Sequence, residues 1–234
     1  MPVSAVAESR FFVGLDVGRV RDPAAIAVME LRHVFRPGPY EPARGEAGEN
    51  SLRYRVRHLE RMKLGTSYPA VVDRVAAIAA ALRVPMVASA GAGAGASRAA
   101  LEVIVDVTGV GRPIFDLLRD RRVGAVVGVN FTGGERASLA PDGVWNVPKK
   151  DLVAGLVLLF QMRELQIAEK LADAQVLVNE LVNFQESLSA AGNPQFGNDG
   201  ANAKHDDYVS AAALCAWRAR LRAPRLRSQR PLGL

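Results

Sequence analysis

Short apolar runs that end on a carboxylate or a glycine turn set the rhythm of this chain. FFVGLDVG at 11–18 is such a run, and it predicts a buried strand whose end presents Asp16. AAIAVMELRHV at 24–34 follows the breaker Asp22-Pro23, and LRYRVRHLERM at 52–62 alternates with the period of two that sends successive side chains to opposite faces of a sheet. Three antiparallel strands fit these segments. Residues 36–50, rich in Pro, Gly and Glu, are too many for a tight turn and predict a loop or an extended hairpin tip. TSYPAVVDRVAAIAAALR at 66–83 has helical spacing, with Thr66 or Ser67 as its cap.

The second half repeats the theme. LEVIVDVTGVG at 101–111 predicts another buried strand ending in a carboxylate, Asp106, and a glycine turn, followed by a helix from about Pro113 to Arg121. VGAVVGVNF at 123–131 predicts a further buried strand, and the turn at 141–143 leads through WNVP to a long helix from about Lys149 to Glu169. Residues 174–188 fit helix or strand equally. A loop rich in Gly and Asn (191–203) precedes HDDYVSAAALCAWRARL at 205–221, a helix that opens on two adjacent carboxylates. ASAGAGAGAS at 88–97 is low in complexity and predicts a flexible insertion or linker. Neither it nor TGVGRP at 108–113 carries the Lys and Ser/Thr that a phosphate-cradling ATP loop needs after its glycines.

Composition narrows the class. The 234 residues are 49% hydrophobic and 23% charged, which suits one α/β domain or at most two small ones. Cys215 has no partner for an internal disulfide, and with His33, His58 and His205 it cannot make a conventional structural zinc site, so a reducing cytoplasm fits best. The longest apolar run, LVAGLVLLF at 152–160, is about half of the ~20 residues that span a bilayer, and no secretory signal opens the chain. The net charge of +6 has a location: all 24 acidic residues precede Arg218, whereas Arg218, Arg220, Arg222, Arg225, Arg227 and Arg230 follow without an acid. This predicts a globular part over 1–217 and a flexible basic tail over 218–234 suited to a polyanion such as nucleic acid.

Asp16 and Asp106 stand at strand ends, and Asp206-Asp207 open a helix. Each alone reads as a turn or helix cap. Together they would raise one another's pKa unless cations compensate, and a pair of divalent ions roughly 3.5–4 Å apart does so with oxygen ligands of this type. Phosphoryl hydrolysis is the chemistry such a cluster serves. Mg²⁺ is the expected ion and Mn²⁺ its substitute, because an all-oxygen site accepts both.

GLDVGRVRDPAAIAVME, VRHLERMKLGTSYPAVVDRV, VDVTGVGRPIFDLL, GVWNVPKKDLVAGL and HDDYVSAAALCAW, in that order over roughly 11–217, resemble the C-terminal nuclease domain of the large subunit of tailed-phage terminases. The resemblance implies an α/β, ribonuclease-H-like fold: a central mixed β-sheet, three antiparallel strands and then parallel ones, flanked by helices. It implies a two-metal endonuclease that cuts double-stranded DNA concatemers in the bacterial host cytoplasm during genome packaging, leaving 5′-phosphate and 3′-hydroxyl ends. Carried over residue by residue, Asp16, Asp106 and Asp207 are catalytic metal ligands. Asp206 stands beside them, since neighbouring helical positions are ~100° apart and only one of the pair points squarely at the metals. Asp22 matches an auxiliary acidic position, or else makes an Asx turn before Pro23. His205 reads as an N-cap or surface residue before a proton carrier.

Arg53, Arg55 and Arg57, alternating along one strand, read equally as DNA contacts or as a solvated strand face, and Lys149 and Lys150 at a helix start could meet phosphate. Trp145 and Tyr208 read as packing residues. The ATP-driven motor that precedes the nuclease in a full large subunit is not covered by the resemblance; such a motor, the small terminase subunit and the portal protein are the implied partners. GLDVG also opens a junction-resolvase family of the same fold and the first phosphate loop of sugar-kinase and actin-like ATPases, which need two such domains. A noncatalytic module that keeps the fold and binds portal or DNA through its arginine tail is a further alternative.

Overall fold

The computed structural model describes residues 5–18, 22–41, 46–89, 101–183, 185–188, 194–197 and 206–224. In chain order the elements are β1 (Ala5–Asp16), β2 (Ala25–Glu41), β3 (Glu46–Arg61), α1 (Tyr68–Ser89), β4 (Leu101–Asp106), α2 (Arg112–Asp120), β5 (Ala125–Thr132), β6 (Ser138–Leu139) and β7 (Trp145–Pro148). α3 (Lys149–Gln161), β8 (Leu165–Ile167), α4 (Ala174–Asn183), β9 (Gln185–Leu188), β10 (Pro194–Gly197) and α5 (Asp207–Arg222) follow among the described residues. Eight strands form one sheet in the order β6-β7-β5-β4-β1-β2-β3-β8, and β9 and β10 pair separately. β1, β2 and β3 are antiparallel, whereas β4, β5 and β7 add to β1 in parallel, as the apolar runs predict.

The strands alternate between two cores because each buries both faces. Phe12, Met29, Tyr54 and Ile104 pack with α3, α4 and α5 on one side. Val13, Leu15, Ile26, Val28 and Val103 pack with α1 and α2 on the other. α5 lies close upon β1 because small residues meet there. A Cβ on Gly14 would come 2.1 Å from the Ala211 carbonyl oxygen, so only glycine fits, and the facing turns of α5 bury Ala211, Ala212, Cys215, Ala216 and Ala219. This contact brings the end of β1 and the start of α5 to one place. Burial pushes the Cys215 thiol up to about 12, which makes it a packing residue.

Of the two possibilities for 36–50 the extended hairpin is the one formed, since β2 runs to Glu41 and β3 starts at Glu46. α3 is shorter than expected. The helix expected to reach Glu169 stops at Gln161: Arg163 takes a left-handed φ of 58°, the chain reverses, and β8 pairs in parallel with β3. The stretch 174–188 resolves into α4 and then β9. Ser67 caps α1 by accepting the Ala70 N–H at 3.4 Å. Trp145 packs edge-to-face on Trp217. The glycine- and alanine-rich segment over 90–97 lies outside the described residues. Arg218, Arg220 and Arg222 belong to α5, and the residues beyond 224 lie outside the described set. No described helix is long and apolar enough to cross a membrane.

Candidate active site

Neighbouring parallel strands β1 and β4 end side by side on Asp16 and Asp106. A carboxylate there is fixed by the sheet register, because Asp16 sits opposite Ala25 of β2 and Asp106 opposite Val129 of β5. The turn after β4 is locked locally: Thr108 N–H donates to Asp106 Oδ1 at 2.7 Å, and Thr108 Oγ1 accepts from Phe131 N–H of β5 at 2.8 Å. Gly111 is required just beyond, where a Cβ would stand 1.9 Å from the Asp106 carbonyl oxygen. Across the strand ends lies the first turn of α5. Asp206 is its N-cap position but makes no cap hydrogen bond with its side chain, and Asp207 is buried.

These residues line a single cleft of about 310 Å³ together with Asp22, Thr108, Lys149 and Ser210. Its electrostatics are those of crowded acids. Burial holds the Asp16 carboxyl well above the usual carboxylate range; Asp106 and Asp207 add to that, Lys149 pulls the other way, and Asp206 pushes further. Lys149 Nζ lies 2.9 Å from Asp206 Oδ2, so the first residue of α3 brings a cation into the cleft itself.

Among the described lining residues the charged donors are carboxylates, with Lys149 the one cation, a set that suits a hard divalent cation. It is not a closed cage: among the described residues no three acidic, His or Cys side chains already gather at ligating distances. The carboxylates that line the cleft are Asp16, Asp22, Asp106, Asp206 and Asp207.

The other sequence-selected residues divide. Arg53, Arg55 and Arg57 do lie on β3, but away from the cleft. Arg53 pairs with Arg32 at a level seven residues along β2 from Ala25, roughly 24 Å from the strand end that carries Asp16. Arg55 donates to Gln166 at 2.7 Å, and Arg57 reaches Glu30 at 3.7 Å. Lys150 follows Lys149 in α3 without lining the cleft. His205 lies outside the described residues.

Sequence reasoning missed two residues behind the site. Glu180 of α4 is 5% exposed and accepts the N–H groups of Tyr208 and Val209 at 3.1 and 3.2 Å, so it caps α5 from outside. Arg61, the last residue of β3, donates to Glu180 at 2.6 Å and approaches Asp207 Oδ2 at 3.4 Å. Burial pushes the Glu180 carboxyl up to about 7 against the pull of Val209 N–H and Arg61. The only sequence signal was an acid on the apolar face of α4, and nothing local links it to a helix that starts 27 residues later.

No protein-family model matches the chain, and no curated protein matches it in sequence. Solved structures do match in shape. The large terminase nuclease from thermophilic phage G20c, solved with bound magnesium, superposes with a TM-score of 0.55 at 19% identity, over 92% of this chain and 87% of that one. The large terminase nuclease domain of Thermus phage P74-26 gives 0.49 at 17% identity, over 92% and 85%, and Thermus thermophilus RuvC gives 0.34 at 12%, over 90% and 96%. The chain therefore has the ribonuclease-H-like fold of a phage large terminase nuclease, three antiparallel strands continued by parallel ones with carboxylates at their ends.

Proposed function

We propose that this chain is a metal-dependent DNA endonuclease, the nuclease part of a phage or prophage terminase large subunit that cuts double-stranded DNA during packaging. The observation that carries the reading is the convergence of Asp16, Asp106 and Asp207, from three separate elements, on one cleft at the strand ends. In this reading they hold a pair of Mg²⁺ ions, with Mn²⁺ as substitute. Such ions supply the Lewis acidity that activates a water and stabilises the departing 3′ oxygen of a phosphodiester. Lys149 meets a non-bridging phosphate oxygen, and its pairing with Asp206 keeps its ammonium at the cleft mouth until DNA arrives. Arg53, Arg55 and Arg57 add backbone contacts along β3 that carry no sequence preference. The ATPase motor, small subunit and portal protein are the partners this role requires.

Supercoiled plasmid incubated with the purified chain and Mg²⁺, Mn²⁺ or EDTA tests the reading. Metal-dependent nicking and linearisation, lost in Asp16→Asn and Asp207→Asn, is expected. Folded protein that binds DNA but leaves it intact under every condition would favour the noncatalytic module.

A further inference from the structure

The cleft does not end at its carboxylates. A second hollow of about 260 Å³ shares Val17, Gly18, Asp22 and Val110 with it and continues over the strand ends to the other face of the sheet. The cleft is walled by α5 and by Lys149 of α3, whereas Val71 of α1 and Ile114 of α2 line the hollow together with Val17. All three are buried and give it an apolar floor. Its rim is the turn between β3 and α1, which brings Lys63, Thr66 and Tyr68.

That rim is fixed before any ligand arrives. Thr66 donates twice to the Lys63 carbonyl oxygen, from its N–H at 3.1 Å and from Oγ1 at 2.6 Å, and Gly65 takes the left-handed φ of 81° within the turn. Lys63 is exposed and Tyr68 is 39% exposed, so an ammonium and an aromatic ring border an apolar floor. A free inorganic anion has no use for that floor. The backbone of DNA uses both parts, its phosphate meeting the ammonium and its deoxyribose the apolar surface. The sheet register gives the spacing. Asp16 lies opposite Ala25 and Ala25 opposite Arg61, so the end of β3 stands two strand spacings, roughly 10 Å, from Asp16.

We propose that this hollow is a strand subsite, in which Lys63 holds a backbone phosphate about three nucleotides from the cut, at roughly 3.4 Å of rise each, and Tyr68 and the apolar floor pack the adjoining deoxyribose. This rests on the reading of the cleft as the place where DNA is cut. The bound strand then crosses the end of the sheet from the α5 side to the α1 side.

Lysine acetylation read by mass spectrometry tests the path in the wild-type chain, with and without a linear duplex, in Ca²⁺ buffer with the DNA checked intact by gel. Duplex should slow acetylation of both Lys149 in the cleft and Lys63 in the subsite. Salt-dependent binding of the same duplex then separates contact from mere coverage. Lys63→Gln should weaken binding about threefold to tenfold and reduce the slope of log affinity against log salt by about 1, and Lys63→Arg should restore both. Tyr68→Ala should weaken binding a few-fold and leave the slope unchanged, whereas Tyr68→Phe, which keeps the ring, should bind like wild type. Lys149 protected while Lys63 reacts as in the free protein, or Lys63→Gln with an unchanged slope, would overturn the subsite and leave the reading of the cleft standing. Neither lysine protected would overturn both.

Discussion

The two ends of α5 bury acidic groups under opposite charge balances. At its C-terminal end Glu102 of β4, 4% exposed, takes Arg218 at 2.6 Å and Arg222 at 2.7 Å, two cations to one acid. At its N-terminal end Asp16, Asp106, Asp206 and Asp207 share a cleft with Lys149, and Arg61 stands behind. Both arrangements agree with the helix dipole, acid at the start and base at the end. The Glu102 end is compensated two to one, whereas at the other end burial and the neighbouring carboxylates keep Asp16 raised. An over-compensated buried acid fastens a helix to a sheet, whereas an under-compensated cluster stores repulsion that an added cation relieves.

Breaking each end separates these roles. Asp16→Asn should lower metal-dependent plasmid cleavage by at least roughly 10³-fold, the scale of an essential group in a catalytic unit. The same variant should melt higher than wild type in EDTA, because it removes one of the crowded charges. Glu102→Ala should do the reverse: about 3 kcal/mol less stability in urea denaturation, since it leaves Arg218 buried without its partner, and near-normal cleavage per folded molecule. A lower EDTA melting point for Asp16→Asn, or unchanged stability for Glu102→Ala, would erase the contrast.

The over-compensated end was hard to see in the sequence, and the cleft was not. Asp16 and Asp106 were legible because a buried strand that stops on a carboxylate and a glycine turn is a local pattern, and Asp206-Asp207 because a helix start is one too. Glu102 looked like any acid next to an apolar run, and its partners lie 116 and 120 residues away. Glu180 and Arg61 were hidden for the same reason, since a cap supplied from another element leaves no mark near the helix it caps. The end of α3 was misjudged because LVAGLVLLFQMRELQIAE holds neither Pro nor Gly after Gly155, and the reversal rests on Arg163 in a left-handed conformation.

Acidity offers a gentler probe of the cleft. Glu180 titrates near 7 when folded and near 4.5 when unfolded, so between those values the native state holds a proton that the unfolded chain has released. Metal-free stability should therefore be highest at the acid end of that window and fall as pH rises toward 7, by no more than about 3 kcal/mol from this group. Asp16, also raised, acts in the same direction. Glu180→Gln should flatten the slope in melts between pH 5 and 8, and Mg²⁺ should raise the melting temperature of wild type more at pH 8 than at pH 5.5. A stability that climbs with pH across this range would contradict the charge balance assigned to the cleft.

The smallest effects belong to Arg53, Arg55 and Arg57 of β3, which do not line the cleft. Burial, and then the crowding of Arg32, Arg57 and Arg53, lower the pKa of Arg55, and Glu30, which accepts from Ser9 Oγ at 2.9 Å, pulls the other way. Four guanidiniums around one acid favour a phosphate backbone over a neutral partner, but roughly 24 Å of strand separates Arg53 from the cleft level. Arg57, four residues before Arg61, is nearer, about 14 Å of strand from that level, and both would engage duplex away from the cut and leave the chemical step alone. Arg57, half-exposed and 3.7 Å from Glu30, is the one to change first. Arg57→Ala should weaken duplex binding a few-fold, equally for unrelated sequences, and reduce the slope of log affinity against log salt by about 1. Cleavage at saturating DNA should not change. The effect should vanish on duplexes too short to reach from the cleft to β3, and a loss that persisted on those would place Arg57 in contact with DNA at the cleft itself.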